Sequence, residues 1–154
     1  MRSERGFTLL EMVVTATILM ILAGAVFPAI RMANRRKKEL ELRADLRILR
    51  TAIDRYHVAA VQGMIGGTDV QLGSEGYPKD LDQLVKGVSQ AGKADRKLKF
   101  LRQIPVDPMT GTREWALKCY QDEPDSTSWC GENVWDVHTK SGGKGLDGTK
   151  YQEW

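Results

Sequence analysis

Strongly apolar positions crowd into a single run, residues 7–30, in which Glu11 is the only ionisable side chain. As a helix with a rise of ~1.5 Å per residue, these 24 residues reach about 36 Å. That is enough to cross a hydrocarbon layer of about 30 Å. A removable secretory signal has an apolar region of roughly 7–15 residues ending in a small-residue cleavage site. Here Pro28-Ala29-Ile30 leads straight into charged sequence, so the run reads as a retained membrane helix. Pro28 has no amide hydrogen and crowds the carbonyl of Gly24, which predicts a kink or local unwinding.

The pattern then changes from continuous to periodic. Leu42, Leu46, Leu49, Ile53, Tyr56 and Ala60 recur at steps of 4, 3, 4, 3 and 4, one stripe of an amphipathic helix over residues 31–62. Arg43, Asp45, Arg47, Arg50, Asp54 and Arg55 fill the rest of the circumference and read as a solvated face. Gly63, Gly66 and Gly67 end the helix, and residues 68–76 form a polar loop. Leu81, Leu84 and Val85 give a short helix at 80–85, followed by a Gly- and Lys-bearing link. Residues 100–105 are extended, Asp107-Pro108-Met109-Thr110-Gly111 is a turn, and strands are expected at 114–120 and 133–138. The sum is an α+β fold, a long N-terminal helix packed on a small antiparallel sheet, with a head domain spanning 63–154.

Charge changes this picture little. Twenty-three Lys and Arg against 20 acids leave +3 over 154 residues, too slight to argue for nucleic acid. Cys119 and Cys130 are close in sequence and are readable either as a disulfide, in an oxidising compartment, or as two buried thiols. His57 falls on the long helix and His138 on a strand, with no nucleophile, metal spacing, phosphate loop or CxxC pair about them, so both read as structural and no enzyme is expected.

The sequence Gly6-Phe7-Thr8-Leu9-Leu10-Glu11, preceded by basic Arg2 and Arg5, resembles the leader junction of type IV prepilins and pseudopilins. The resemblance implies a leader at 1–6, cleavage after Gly6 by a prepilin peptidase, and methylation of the new N-terminus at Phe7. It also implies that Glu11 meets the N-terminal ammonium of a neighbouring subunit during polymerisation. Ile104-Pro105-Val106-Asp107-Pro108-Met109-Thr110-Gly111, and a Gly/Asp tail closing on Trp154, resemble the major pseudopilins of type II secretion systems. This implies a filament subunit whose partners are itself, other pseudopilins, an inner-membrane assembly platform and membrane lipid. Its span would be single-pass in a bacterial inner membrane, with the head in the periplasm. Such pseudopilins commonly bind calcium in the C-terminal loop, for which Asp136, Asp147 and Glu153 are the candidate ligands. A type IVa pilus subunit for adhesion, motility or DNA uptake is the alternative.

Two features pull against simple readings. A carboxylate inside a membrane span costs of order 2.5–3.5 kcal/mol, so Glu11 either lies at the interface or has a partner. Arg31, Arg35, Arg36, Lys37 and Lys38 follow the span while only Arg2 and Arg5 precede it. By the positive-inside rule alone this would keep the head in the cytoplasm, against the leader and the cysteine pair. The same cluster also suits anionic lipid head groups or an acidic patch on an adjacent subunit.

Overall fold

The computed structural model describes residues 6–66, 69–70, 73–123, 126 and 128–154. The chain divides into two compact units, Met1–Lys37 and Lys38–Trp154. In chain order its elements are α1 (Leu9–Val61), α2 (Leu81–Lys86), β1 (Val88–Gln90), β2 (Lys93–Leu98), β3 (Ala116–Lys118), β4 (Asp136–His138) and a 3₁₀ turn (Tyr151–Glu153). This is an α+β arrangement of one long helix with small antiparallel sheets. Expected residues 67–68, 71–72, 124–125 and 127, parts of two loops, lie outside the described residues.

In the first unit the described side chains are all exposed, the apolar ones included. Among the described residues α1 is the one helix long and apolar enough to cross a membrane, and none of its most apolar window is buried within the chain. Thr15 and Thr17 donate their hydroxyls to Met12 O and Val13 O at 3.0 and 2.8 Å, so these polar side chains are satisfied within the helix itself. The local unwinding expected at Pro28 does not occur, because α1 carries Pro28 in its interior. A proline deletes one amide donor while its flanking residues keep theirs.

The second unit is built around the periodic stripe of α1. Leu42, Leu46, Leu49, Ile53 and Tyr56 are at most 2% exposed and pack with Leu84, Val88, Trp115, Val134, Val137 and Tyr151 in one core. Ala52 and Ala59 are buried beside them, whereas Ala60 is only partly so. The helix stops in a Schellman arrangement: Met64 N–H donates to Ala59 O (2.9 Å) and Gly63 N–H to Ala60 O (3.0 Å), with Gly63 at φ +68°. Asp80 caps α2 by accepting from Gln83 N at 2.7 Å.

The link expected after α2 is instead a hairpin. β1 and β2 pair antiparallel, Val88 opposite Leu98 and Ser89 opposite Lys97, with an irregularity before Gln90–Lys93. Gly87, at φ +80°, lets the chain approach closely: a Cβ there would lie 2.8 Å from Leu98 O. The two strands expected further on do form and pair, Ala116 opposite His138 and Lys118 opposite Asp136, but each is only three residues long. They make a second sheet, separate from the first, where a single sheet was expected. Residues 100–105 are not a strand; Phe100 N–H and Leu101 N–H donate to Leu84 O and tie this segment to α2.

Candidate processing and assembly site

At the start of the chain, Gly6 and Phe7 precede the helix, both exposed, Phe7 by 77%. Thr8 caps α1: its Oγ1 accepts from Glu11 N–H at 3.2 Å and its carbonyl accepts from Met12 N–H at 3.2 Å. Thr8-Leu9-Leu10-Glu11 is thus a cap residue followed three positions later by a glutamate, a signature readable in the sequence but missed there. Glu11 lies in the first turn, where the positive end of the helix dipole favours a carboxylate. Its side chain is exposed, and among the described residues it has no ion-pair partner. An acid held one turn inside an apolar helix, with no ion-pair partner among the described residues, is chemically suited to accept a cation from outside.

The C-terminal tail is organised by arginines. Arg50, expected as part of a solvated face, is a four-way donor: Nε to Asp136 Oδ1 (2.6 Å), and Nη2 to Asp136 Oδ2 (3.2 Å), Val137 O (3.2 Å) and the main-chain oxygen of Trp154 (2.7 Å). Arg43 lies 4.0 Å from the Trp154 ring centroid and reaches Asp147 at 3.0 Å. Glu39, buried to 8% exposure, accepts from Leu146 N–H and from the Tyr151 hydroxyl, each at 2.9 Å. Gly145 is required here, since a Cβ would lie 2.5 Å from Trp154 Cζ2.

The expected calcium ligands are drawn into these contacts and do not converge. Asp136 faces Arg50, Asp147 faces Arg43 and accepts from Thr149, and Glu153 lies 3.9 Å from Lys150. Hydrogen bonds from Thr149, with the Arg43 guanidinium adding less, hold the Asp147 carboxyl below its ordinary pKa. Guanidinium groups therefore engage two of the three carboxylates that a hard cation would use, the third lies near an ammonium, and these three residues as placed do not fit a calcium site. Among the described residues the group with metal-ligand types in reach of one another is Cys119, Asp122 and Cys130. Its sulfurs are joined in a disulfide, and Asp122 accepts from Cys119 N–H at 2.7 Å.

The Ile104–Gly111 turn holds a carboxylate that sequence reading left unassigned. Asp107 is fully buried, accepting from Met109 N–H (2.8 Å) and from the Thr139 hydroxyl (2.5 Å), so the turn is locked to the residue just after β4. Asp45, one of the residues expected on the solvated face, is half-buried; burial, with Glu41 and Asp107 nearby, raises its pKa. His57 stacks on Tyr77 at 4.3 Å. His138 has a buried Nδ1 without a hydrogen-bond partner among the described residues, and its pKa is lowered by burial first, with Lys118 and Arg50 adding and Asp136 opposing.

Residues 1–27 match the family described as the prokaryotic N-terminal methylation motif. No match was found among curated proteins or among solved structures. The matched segment contains Gly6, Phe7, the Thr8 cap, Glu11 and the apolar start of α1. The beginning of this chain is therefore a type IV pilin-like prepilin leader running into a long apolar helix.

Proposed function

We propose that this chain is a structural subunit of a type II secretion pseudopilus. A prepilin peptidase cleaves it after Gly6 and methylates Phe7; the mature subunit then polymerises from the inner membrane, on an assembly platform, into a periplasmic filament that assists protein export. The observation that carries this reading is Glu11, an exposed carboxylate with no ion-pair partner among the described residues, in the first turn of an apolar helix, in a chain whose residues 1–27 match the methylation motif. In lipid an unpaired charge is costly, and pairing with the ammonium of Phe7 on a neighbouring helix removes that cost while giving the incoming subunit a register. Choice of pseudopilus over pilus rests on the resemblance of the Ile104–Gly111 turn and the Trp-closed tail. The disulfide suits the second reading, a type IVa pilus subunit, as well, and also supports a head in an oxidising compartment.

Glu11→Leu tests the role. It is expected to leave protein level and cleavage near normal while filaments and secretion are lost or sharply reduced, with Glu11→Asp intermediate because its shorter side chain reaches less far. Normal filaments that support secretion in the Glu11→Leu strain would reduce the glutamate to a tolerated interfacial charge. Filaments that support motility or adhesion but leave secretion untouched would favour the pilus reading.

A further inference from the structure

Two surfaces of the second unit carry opposite, uncompensated charge. The hairpin and the residues after it hold Lys93, Arg96, Lys97, Lys99 and Arg102, all exposed, against Asp95 alone, which is 5 − 1 = +4 in ten residues. The described residues of 120–132 hold Asp122, Glu123 and Glu132 and no Lys or Arg, a charge of −3. The Cys119–Cys130 disulfide closes most of this segment into one loop. Glu123 and Glu132 are exposed, and the large rings of Tyr120, Trp129 and Trp135 stand 56, 39 and 45% open around the loop. Elsewhere on the head four cations find partners: Arg43, Arg50, Lys86 and Lys140 each meet an acid within 3.0 Å. Among the described residues, none of these five cations, nor Glu123 or Glu132, is in an ion pair.

We infer that the basic β1–β2 hairpin of one copy docks on the acidic, aromatic disulfide loop of the next. The occupant is a second copy of this chain because the two patches complement each other in both sign and chemistry. Carboxylates accept from lysine and arginine, and exposed Tyr and Trp faces accept the guanidinium of Arg96 or Arg102. Two different patches of one chain meeting in this way form a head-to-tail contact, which repeats without closing and so builds a helical polymer rather than a dimer. The inference rests on the filament reading above and adds the surface through which the heads would set their angle. Exposed ion pairs are individually weak and screened by salt, so this contact orients subunits and is not the main source of association.

Charge reversal and its reciprocal decide the matter in the full chain, expressed with its peptidase and assembly machinery and scored by filament sheared from cells. Lys93→Glu with Arg96→Glu, and separately Glu123→Lys with Glu132→Lys, are each expected to lower filament yield by about fivefold or more. Cleavage after Gly6 and the disulfide should stay intact, since all four side chains are exposed. Combining the four substitutions should restore most of the yield, which a variant that merely misfolds would not do. The contact is overturned if the unaltered chain forms filaments and either pair of reversals assembles like it, or if the fourfold variant is no better than the pairs. Loss with the hairpin reversals alone, unrescued by the reciprocal change, would point instead to an anionic lipid or nucleic acid and also overturns it. Failure of the unaltered chain to form any filament removes the filament reading and this contact together.

Discussion

Replacing Arg50 by Met removes the guanidinium while keeping an unbranched aliphatic stem against the helix. Four acceptor contacts disappear: both oxygens of Asp136, Val137 O and the Trp154 main-chain oxygen. Hydrogen bonds to charged groups contribute about 1.5–3 kcal/mol when shielded from water. Here the two side chains are 38 and 26% exposed, so water compensates part of the loss, and the ion pair itself approaches the ~1 kcal/mol of surface pairs. Adding about 1 kcal/mol for each carbonyl left without its donor gives a destabilisation of roughly 3 kcal/mol. At about 4 °C per kcal/mol for a unit of this size, the melting temperature should fall by roughly 12 °C. Thermal unfolding of the full chain in detergent, followed by near-ultraviolet circular dichroism of its tryptophans, reads this directly. Arg50→Lys, which can reach only part of the acceptor set, should fall between. A shift under about 2 °C for Arg50→Met would show that the tail is held by the packing of Tyr151 and Trp154 and that the guanidinium contributes little.

Other perturbations separate the remaining contributions. Leu49 is fully buried in the α1 stripe, so Leu49→Ala should cost about 2–5 kcal/mol in the same melt, and an unchanged curve would mean the stripe does not face the core. His138 has a pKa lowered from an ordinary 6.5, so folding favours its neutral form. Stability from this source is complete above about pH 6.5 and is lost as pH falls through the lower folded value. The melting temperature should therefore drop more steeply on acidification toward about pH 5 than it does in His138→Gln, and parallel profiles would remove His138 as the cause. Excess calcium and excess chelator should give superimposable melting curves, because Arg50 and Arg43 already engage Asp136 and Asp147; a lower melting temperature in chelator would restore a calcium site.

What could be read in the sequence was what is local and periodic. Leu42, Leu46, Leu49, Ile53 and Tyr56 announce the buried face of α1 because a helix repeats every 3.6 residues whatever packs on it. Gly63 marks the helix end for an equally local reason, the left-handed turn that follows. The β1–β2 hairpin escaped because Lys93-Ala94-Asp95-Arg96-Lys97-Leu98 has almost no apolar alternation, and its pairing is fixed by the backbone and by Val88 opposite Leu98. Arg50 looked like one of several solvated charges because its partners lie 86 to 104 positions away. Asp107 looked like an ordinary turn acid, yet the hydroxyl it accepts from, Thr139, arrives from 32 residues further on. At the candidate site, Gly6, Phe7 and Glu11 were legible as a contiguous motif, whereas the engagement of Asp136 and Asp147 by arginine depends on tertiary contacts that no spacing encodes.

The leader is the point on which all of this turns, and its fate is directly measurable. Mass spectrometry of the membrane-extracted protein from peptidase-positive cells should find a chain beginning at Phe7 with a methylated amino group. Recovery of the intact chain beginning at Met1 from those cells would contradict processing at Gly6 and, with it, the filament subunit built on that terminus.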